Sequence, residues 1–339
     1  MEAIPNRVFY SLVMFKKRIL SMRIKAVDNL NPPNLIARVL SPLGVYPEKT
    51  IIADDYAYYS SPEICFTVIL YEKFDLKDEN YYSEMEWAHI DEIKLFASLI
   101  LAVDRDVSFI RIYPFPCTEK LDVSGKLSLK DKNLLTEIKE FLIGVINAPD
   151  KKIPGYPASQ RNRYQNAKGI SLPPVCGGPA YDFRDEGVNY KLQSKVHAAI
   201  RKDDYLAIRG LSTLIRSFML STHYQFLEES TYSLFIALEA SFRMVLRELR
   251  NNGVKDPSSS DAMQYIHDAF YDIYRIDKYF EEYYEGRIKS MHPESRFGIF
   301  PHAPLMVDDF YHLADDLLEV YAFLLAGYIN PKHKEKHKL

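Results

Sequence analysis

Cysteine is scarce in this chain, with three residues in 339. Cys65, Cys117 and Cys176 are odd in number, far apart and never in a Cys-x-x-Cys pattern. This pattern argues against a disulfide-stapled scaffold and against a thiolate zinc site. It is typical of a protein in a reducing compartment, so we predict a cytoplasmic location.

The chain also lacks a large net charge and a long hydrophobic run. Its formal net charge is −3, so any contact with a nucleic acid must come from local basic patches. The longest apolar stretches, residues 96–103 and 317–329, are too short or too amphipathic to span a bilayer. The first residues have their charge after a short apolar run, which is unlike a signal peptide. We therefore expect no membrane partner.

The first half shows no phosphate-binding loop and no glycine fingerprint, and its pattern is mixed α and β. We expect a mixed α+β domain of unknown role over residues 1–149. Its predicted strands cover residues 8–15, 18–26, 35–40, 64–71 and 107–113, and its predicted helices cover residues 82–103 and 129–146.

Residues 150–186 show no helical or strand periodicity, because proline and glycine interrupt it throughout. We predict an irregular basic linker here. Two interpretations are open: a solvated connection, or an arm that holds RNA by phosphate attraction and base stacking. The cations that suggest RNA contact are Lys151, Lys152, Arg161, Arg163 and Lys168, with Tyr156 and Tyr164 among them.

From residue 187 to residue 330 the pattern is helical almost without interruption, which predicts a helical bundle. Asp203 and Asp204 are candidate caps, Asn251-Asn252-Gly253 predicts a left-handed helix end, and Ser258 with Asp261 resembles a capping box. The predicted helices cover residues 190–202, 204–220, 224–250, 258–271, 277–292 and 305–329. The last nine residues, 331–339, are predicted to be a basic, solvated tail.

One of these helices places an arginine and a histidine near its C-terminal end. Asp277 is a good N-cap, and Pro293 cannot extend a helix. Arg287 and His292 lie five residues apart, about 140° around the helix axis. A cation and a titratable imidazole at a helix end suit the binding and cleavage of a phosphodiester. The apolar residues of this segment fall on one predicted core face, namely Phe280, Tyr284, Ile288 and Met291.

Three segments together resemble the HEPN superfamily of small helical bundles. One is the long helix with LFIALEASFRMVL at residues 234–246, which contains Glu239. The second is the Arg-x-x-x-x-His element itself, and the third is the closing helix that ends in AFLLAGYI at residues 322–329. The resemblance covers residues 186–330, so we expect an α+β chain with an all-α HEPN-like bundle in its second half.

The resemblance implies a metal-independent endoribonuclease that needs no cofactor. His292 is expected to take a proton from the ribose 2′-hydroxyl or to give one to the leaving 5′-oxygen. Arg287 is expected to stabilise charge on the phosphorane oxygens. Glu239 either orients these two residues or satisfies a polar position in the bundle. Arg296 and Lys289 are further candidates for phosphate and RNA contact.

The resemblance also implies partners. RNA is the expected substrate, and a homodimer through the helical domain brings two copies of the Arg/His element into one cleft. The whole chain then suits a toxin or antiviral defence effector that the first domain restrains, with an inhibitor protein as a further expected partner. Ile288 and Pro293 differ from the pattern of the family ribonucleases. Two other interpretations therefore stay open: a non-catalytic dimerisation module that binds RNA, nucleotide or protein, and a ligand-binding regulator.

Overall fold

The computed structural model describes residues 24–26, 34–40, 49–53, 56–60, 65–70, 90–103, 117–146, 188–221, 226–270, 279–280 and 307–331. The chain divides into two compact units. We call the first the sheet unit; it comprises Met1–Leu40, Lys49–Glu84 and Pro116–Lys168. The second, the helical unit, comprises Ser41–Glu48, Met85–Phe115 and Gly169–Leu339.

The described strands of the sheet unit form one antiparallel sheet. They are β1 (Ile24–Ala26), β2 (Leu35–Leu40), β3 (Ile51–Ala53), β4 (Tyr56–Ser60), β5 (Cys65–Leu70) and β6 (Cys117–Val123). Their spatial order is β1-β6-β2-β5-β4-β3. The predicted strand at 35–40 is confirmed with the same bounds, and the one at 64–71 is confirmed one residue shorter at each end. β3, β4 and β6 were not predicted, and residues 8–15 and 107–113 lie outside the described residues.

β2 is one of the two middle strands of this sheet, and both of its edges are paired. Ala37 pairs with Val68 on one side and with Glu119 on the other. Alternate residues point to opposite faces of a strand, so Leu35 and Ala37 share one face. The helix α2 (Lys132–Ile146) packs on that face through Leu134, Leu135, Ile138 and Leu142. The other face is also buried at Ile36, Tyr58 and Thr67.

The register of β2 also separates two of the cysteines. Leu40 pairs with Cys65 and Val39 pairs with Cys117, so β2 runs between the two cysteine backbones. Two strand spacings amount to roughly 10 Å, which exceeds the Cα separation that a disulfide spans. Cys65 and Cys117 therefore do not bond to each other in this sheet.

The described helices of the helical unit follow the predicted pattern, with one addition. They are α1 (Ile90–Ile100), α3 (Tyr190–Ala199), α4 (Tyr205–Ser221), α5 (Leu227–Asn251), α6 (Ser259–Ala269) and α7 (Val307–Ala326). The described residues thus confirm a mixed α+β chain. Among them, no helix has both the length and the apolar character that crossing a bilayer requires.

Capping side chains and glycines explain where these helices start and stop. Ser258 and Asp261 form the predicted capping box, with the Ser258 hydroxyl accepting the Asp261 N–H at 3.2 Å. Gly253 has a φ of 96°, which confirms the predicted left-handed end of α5. α7 ends at Ala326, before the predicted position 329, because Gly327 takes a φ of 59° there.

The structure differs from the predicted domain division at α1. Residues 1–149 were predicted to form one domain, but α1 belongs to the helical unit. The Gln193 side chain donates to Ser98 Oγ at 2.9 Å, and the Asn189 N–H donates to the Ala102 carbonyl at 2.8 Å. Residues 92–102 are all buried, so α1 needs neighbours on every side. The predicted boundaries at residues 150, 187 and 331 stay predictions.

α4 and α5 form an antiparallel hairpin that α7 joins at one close contact. Asp204, just before α4, pairs with Arg247 near the end of α5, while the Ser230 hydroxyl donates to the Ser217 carbonyl at 2.7 Å. Between these two levels, Gly210 of α4 faces Ala240 of α5. The buried Tyr321 hydroxyl of α7 donates to the Ala237 carbonyl at 2.8 Å and lies directly beside Gly210.

Replacing Gly210 by alanine should destabilise the helical unit. The new Cβ would come so close to the Tyr321 hydroxyl that the ring must move, and it would lie 2.9 Å from Ala240 Cβ. Overpacking and a weakened buried hydrogen bond cost about 2–4 kcal/mol, and the better helix propensity of alanine returns about 1 kcal/mol. We expect a net loss of about 1–3 kcal/mol in the free energy of unfolding, measured by urea denaturation. In a Tyr321→Phe background the loss should be smaller, because the nearest atom is gone; an equal loss in both backgrounds contradicts the contact.

Asp204 caps α4 and binds Arg247, and it should stabilise the hairpin most when ionised. Its carboxylate accepts two bonds of 2.7 Å from Arg247 and one of 3.1 Å from the Ala207 N–H. Burial raises the pKa of Asp204, but the bonds from Arg247 and Ala207 and the nearby cations outweigh it, so the pKa is lowered. A lowered folded pKa means that the stabilisation is present above the unfolded pKa of about 3.9 and is lost as the pH falls through the folded pKa.

We expect Asp204→Asn to cost about 1 kcal/mol at neutral pH, since asparagine keeps a capping oxygen but loses the charge. Asp204→Ala should cost about 1 kcal/mol more, because it also removes the cap. Thermal unfolding across a pH series checks both values. The gap between wild type and Asp204→Asn should narrow below about pH 4, and a constant gap would show that the charge contributes nothing.

Candidate functional site

Most of the predicted site residues lie outside the described residues. This holds for Arg287, His292, Arg296 and Lys289 of the Arg/His segment, and for Lys151, Lys152, Arg161, Arg163 and Lys168 of the linker. Their roles therefore stay predictions. The structure describes two parts of the predicted site: the first residues of the segment that carries Arg287, and Glu239 on α5.

The start of the predicted helix at residues 277–292 is observed at Tyr279 and Phe280. Both residues are helical. Phe280 was predicted to lie on the core face of this helix, and it is buried. Tyr279 is completely buried as well. The prediction is thus confirmed for the beginning of this segment.

α5 anchors these two residues through one hydrogen bond and one aromatic contact. The Tyr279 and Ser241 hydroxyls lie 3.1 Å apart inside the unit. The Phe280 and Phe242 rings meet edge to face, with centroids 5.2 Å apart and planes at 86°. Tyr279 also packs against Phe280, at 4.8 Å between ring centroids. The segment that leads to Arg287 therefore enters the bundle at the level of residues 241–242 of α5.

Glu239 lies on α5 about one helical turn from these anchors, and it has a partner in the same helix. Its carboxylate accepts a hydrogen bond of 2.9 Å from Nε of Arg243. The Glu239 side chain is 30% exposed and the Arg243 side chain 57%. The structure thus places Glu239 in an intrahelical ion pair; an additional role in orienting Arg287 or His292 stays a prediction.

Arg243 is a candidate site residue that our sequence reasoning did not single out. Its guanidinium is held by Glu239 on one side and lies 5.9 Å from the centroid of the Phe242 ring. Two such contacts hold a half-exposed cation beside the anchored aromatic residues, where it can attract a phosphate. The signal in the sequence was the four-residue spacing of Glu239 and Arg243, which brings the two onto one helix face.

A metal centre receives no support from the described part of the chain. There, no group of three or more histidine, cysteine, aspartate or glutamate side chains is arranged to hold a metal ion.

The Glu239–Arg243 pair should couple weakly in stability measurements. Exposed i,i+4 ion pairs contribute about 0.3–0.5 kcal/mol. In a double-mutant cycle of Glu239→Gln and Arg243→Gln, we expect a coupling free energy of that size from urea denaturation. A coupling several times larger would show that Glu239 is part of a wider polar network.

No family model, curated protein or solved structure matches this chain. Of the three segments that carry the HEPN resemblance, residues 234–246 lie within α5 and residues 322–326 end α7. The Arg/His element between them lies outside the described residues.

Proposed function

We propose that the helical unit is a metal-independent endoribonuclease of the HEPN kind, with Arg287 and His292 as its catalytic residues. The observation that supports this best is the anchoring of Tyr279 and Phe280 on α5. It ties the start of the Arg/His segment to the helix that carries Glu239 and Arg243. A carboxylate, an exposed arginine and the entry of the predicted catalytic helix thus share one region of α5.

The proposed reaction is an intramolecular transesterification of the RNA backbone. The 2′-oxygen attacks the adjacent phosphorus and the bond to the 5′-oxygen breaks, which leaves a 2′,3′-cyclic phosphate and a free 5′-hydroxyl. His292 takes the proton of the 2′-hydroxyl, and a second imidazole from a symmetry mate gives a proton to the departing 5′-oxygen. Arg287 stabilises the extra negative charge on the phosphorane oxygens.

In this proposal the protein acts as a homodimer through the helical unit, because one copy supplies a single His292. The sheet unit senses a signal or restrains the ribonuclease, as expected for a toxin or defence effector. This part of the proposal rests on the resemblance and on the presence of two separate compact units.

One observation favours the alternative, a bundle that binds RNA without cleaving it. Glu239 already accepts a hydrogen bond from Arg243 within α5. If that pair occupies the Glu239 carboxylate, Glu239 does not orient Arg287 or His292, and the arginines serve binding alone.

The ribonuclease proposal can be tested by incubating purified protein with end-labelled RNA in EDTA. We expect cleavage that leaves 2′,3′-cyclic phosphate ends. His292→Ala and Arg287→Ala should each slow it by at least about 100-fold, the usual size of an acid–base or oxyanion-stabilising contribution. His312→Ala is the matched control, since His312 is an exposed histidine of α7 to which the proposal assigns no role, and it should leave the rate unchanged.

Two further variants separate the two roles of Glu239. If Glu239 orients the catalytic pair, Glu239→Gln slows cleavage far more than Arg243→Gln; if it only pairs with Arg243, the two variants behave alike. Intact RNA that still shifts in a native gel would reject the ribonuclease and support the binding module. Sedimentation that shows a strict monomer with RNA present would reject the two-copy mechanism.

A further inference from the structure

The exposed side of α4 carries positive charge that nothing on the helix balances. Arg209 and Arg216 are the only charged residues of α4, and both are exposed. They lie seven residues apart, two helical turns or roughly 10 Å along the axis, and therefore project from the same side. We call this surface, with Tyr205 at its start, the arginine face.

Three other arginines of the helical unit have carboxylate partners, whereas Arg209 and Arg216 have none in the part of the chain that the structure describes. Arg201 pairs with Asp203, Arg243 with Glu239 and Arg247 with Asp204. The pKa of Arg216 is lowered, first by partial burial and then by the charge of Arg209. Two like charges that repel each other on one face attract an anion with two or more charged groups.

Tyr205 adds an aromatic surface to the same side. It lies one turn before Arg209, and its side chain is 75% exposed. Between the arginines, Ser212 is small, and its hydroxyl donates to the Arg209 carbonyl at 2.9 Å instead of projecting outward. The face thus presents an aromatic ring followed by two guanidinium groups, with only small side chains between the two guanidinium groups.

We infer that the arginine face binds single-stranded RNA, with phosphates on Arg209 and Arg216 and a base stacked on Tyr205. Arginine forks match the geometry of phosphate oxygens, and an exposed ring stacks on any base. The choice of RNA rests on the proposed function, whereas the recognition of phosphate and base rests on the exposed side chains alone. With a net charge of −3, the chain depends on such a local patch to attract RNA.

The test measures binding of fluorescein-labelled, single-stranded oligoadenylate RNA by anisotropy, in EDTA and in a His292→Ala background that prevents cleavage. Affinity is measured from about 50 to 200 mM salt. Each phosphate contact on a single strand adds about 0.7 to the steepness of log K against log salt. Arg209→Gln with Arg216→Gln should therefore make the slope shallower by about 1.4.

The matched control is the pair Arg201→Gln with Arg250→Gln. It removes the same charge from two exposed arginines outside the face, and it should leave the slope nearly unchanged. An equal change in both pairs would show that exposed arginines attract RNA wherever they lie on the protein, and it would overturn the inference. The inference is also overturned if the Arg209 and Arg216 variant shows the wild-type slope of log K against log salt concentration.

Tyr205→Leu tests the stacking contact. It should weaken binding by about fivefold or more without changing the salt slope, because a stacked ring carries no charge. An equal loss with single-stranded DNA supports the inference as well, since neither arginine nor tyrosine needs the 2′-hydroxyl for these contacts. Unchanged affinity in Tyr205→Leu would remove the stacking part.

These results are distinguishable from a failure of the proposed ribonuclease. Intact RNA with wild-type protein, together with the expected slope change, rejects the ribonuclease and keeps the arginine face. Cleavage by wild-type protein, together with unchanged RNA binding in the Arg209 and Arg216 variant, keeps the ribonuclease and rejects the arginine face. A wild-type dimer that becomes a monomer in this variant would assign the face to a second copy of the chain and overturn the inference.

Discussion

The helical unit depends on one close approach between three helices. Gly210 leaves α4 without a side chain where the Tyr321 hydroxyl of α7 reaches the Ala237 carbonyl of α5. Burial raises the pKa of Tyr321, so its hydroxyl stays protonated and keeps donating this bond. A buried hydroxyl without a partner would be costly, and the small residues at the contact let the three helices come close enough to satisfy it.

The same contact positions the proposed functional surfaces. α5 binds Tyr321 at Ala237, carries the Glu239–Arg243 pair, and anchors Tyr279 and Phe280 at the level of residues 241–242. α4 packs antiparallel on α5 with Gly210 at this contact, and Arg209 and Arg216 remain on the exposed side of α4. A rigid hairpin of this kind holds charged side chains at fixed separations, which is what recognition of a phosphate chain requires.

Helix caps and apolar spacing made much of the helical unit predictable. Ser258 with Asp261, Gly253 and the stripe of α7 act within one or two turns, so their effect is visible in a single stretch of chain. The sheet was harder to predict. β3 is only three residues long, and β6 is a polar segment that becomes a strand only through pairing with distant partners, as when Leu121 of β6 meets Leu35 of β2. Phe280 was correctly placed in the core, but the partner of Glu239 was overlooked, although it lies only four residues away.

The amino-acid sequence by itself determined the mixed α+β class and the start and end of several helices. Those features follow from local propensity, capping and periodicity, which need no distant contacts. Only the tertiary structure decided that α1 joins the helical unit, that β2 lies between the strands of Cys65 and Cys117, and that the arginines of α4 have no carboxylate beside them among the described residues. Such facts depend on which distant segments share a buried surface, and packing decides that for the chain as a whole.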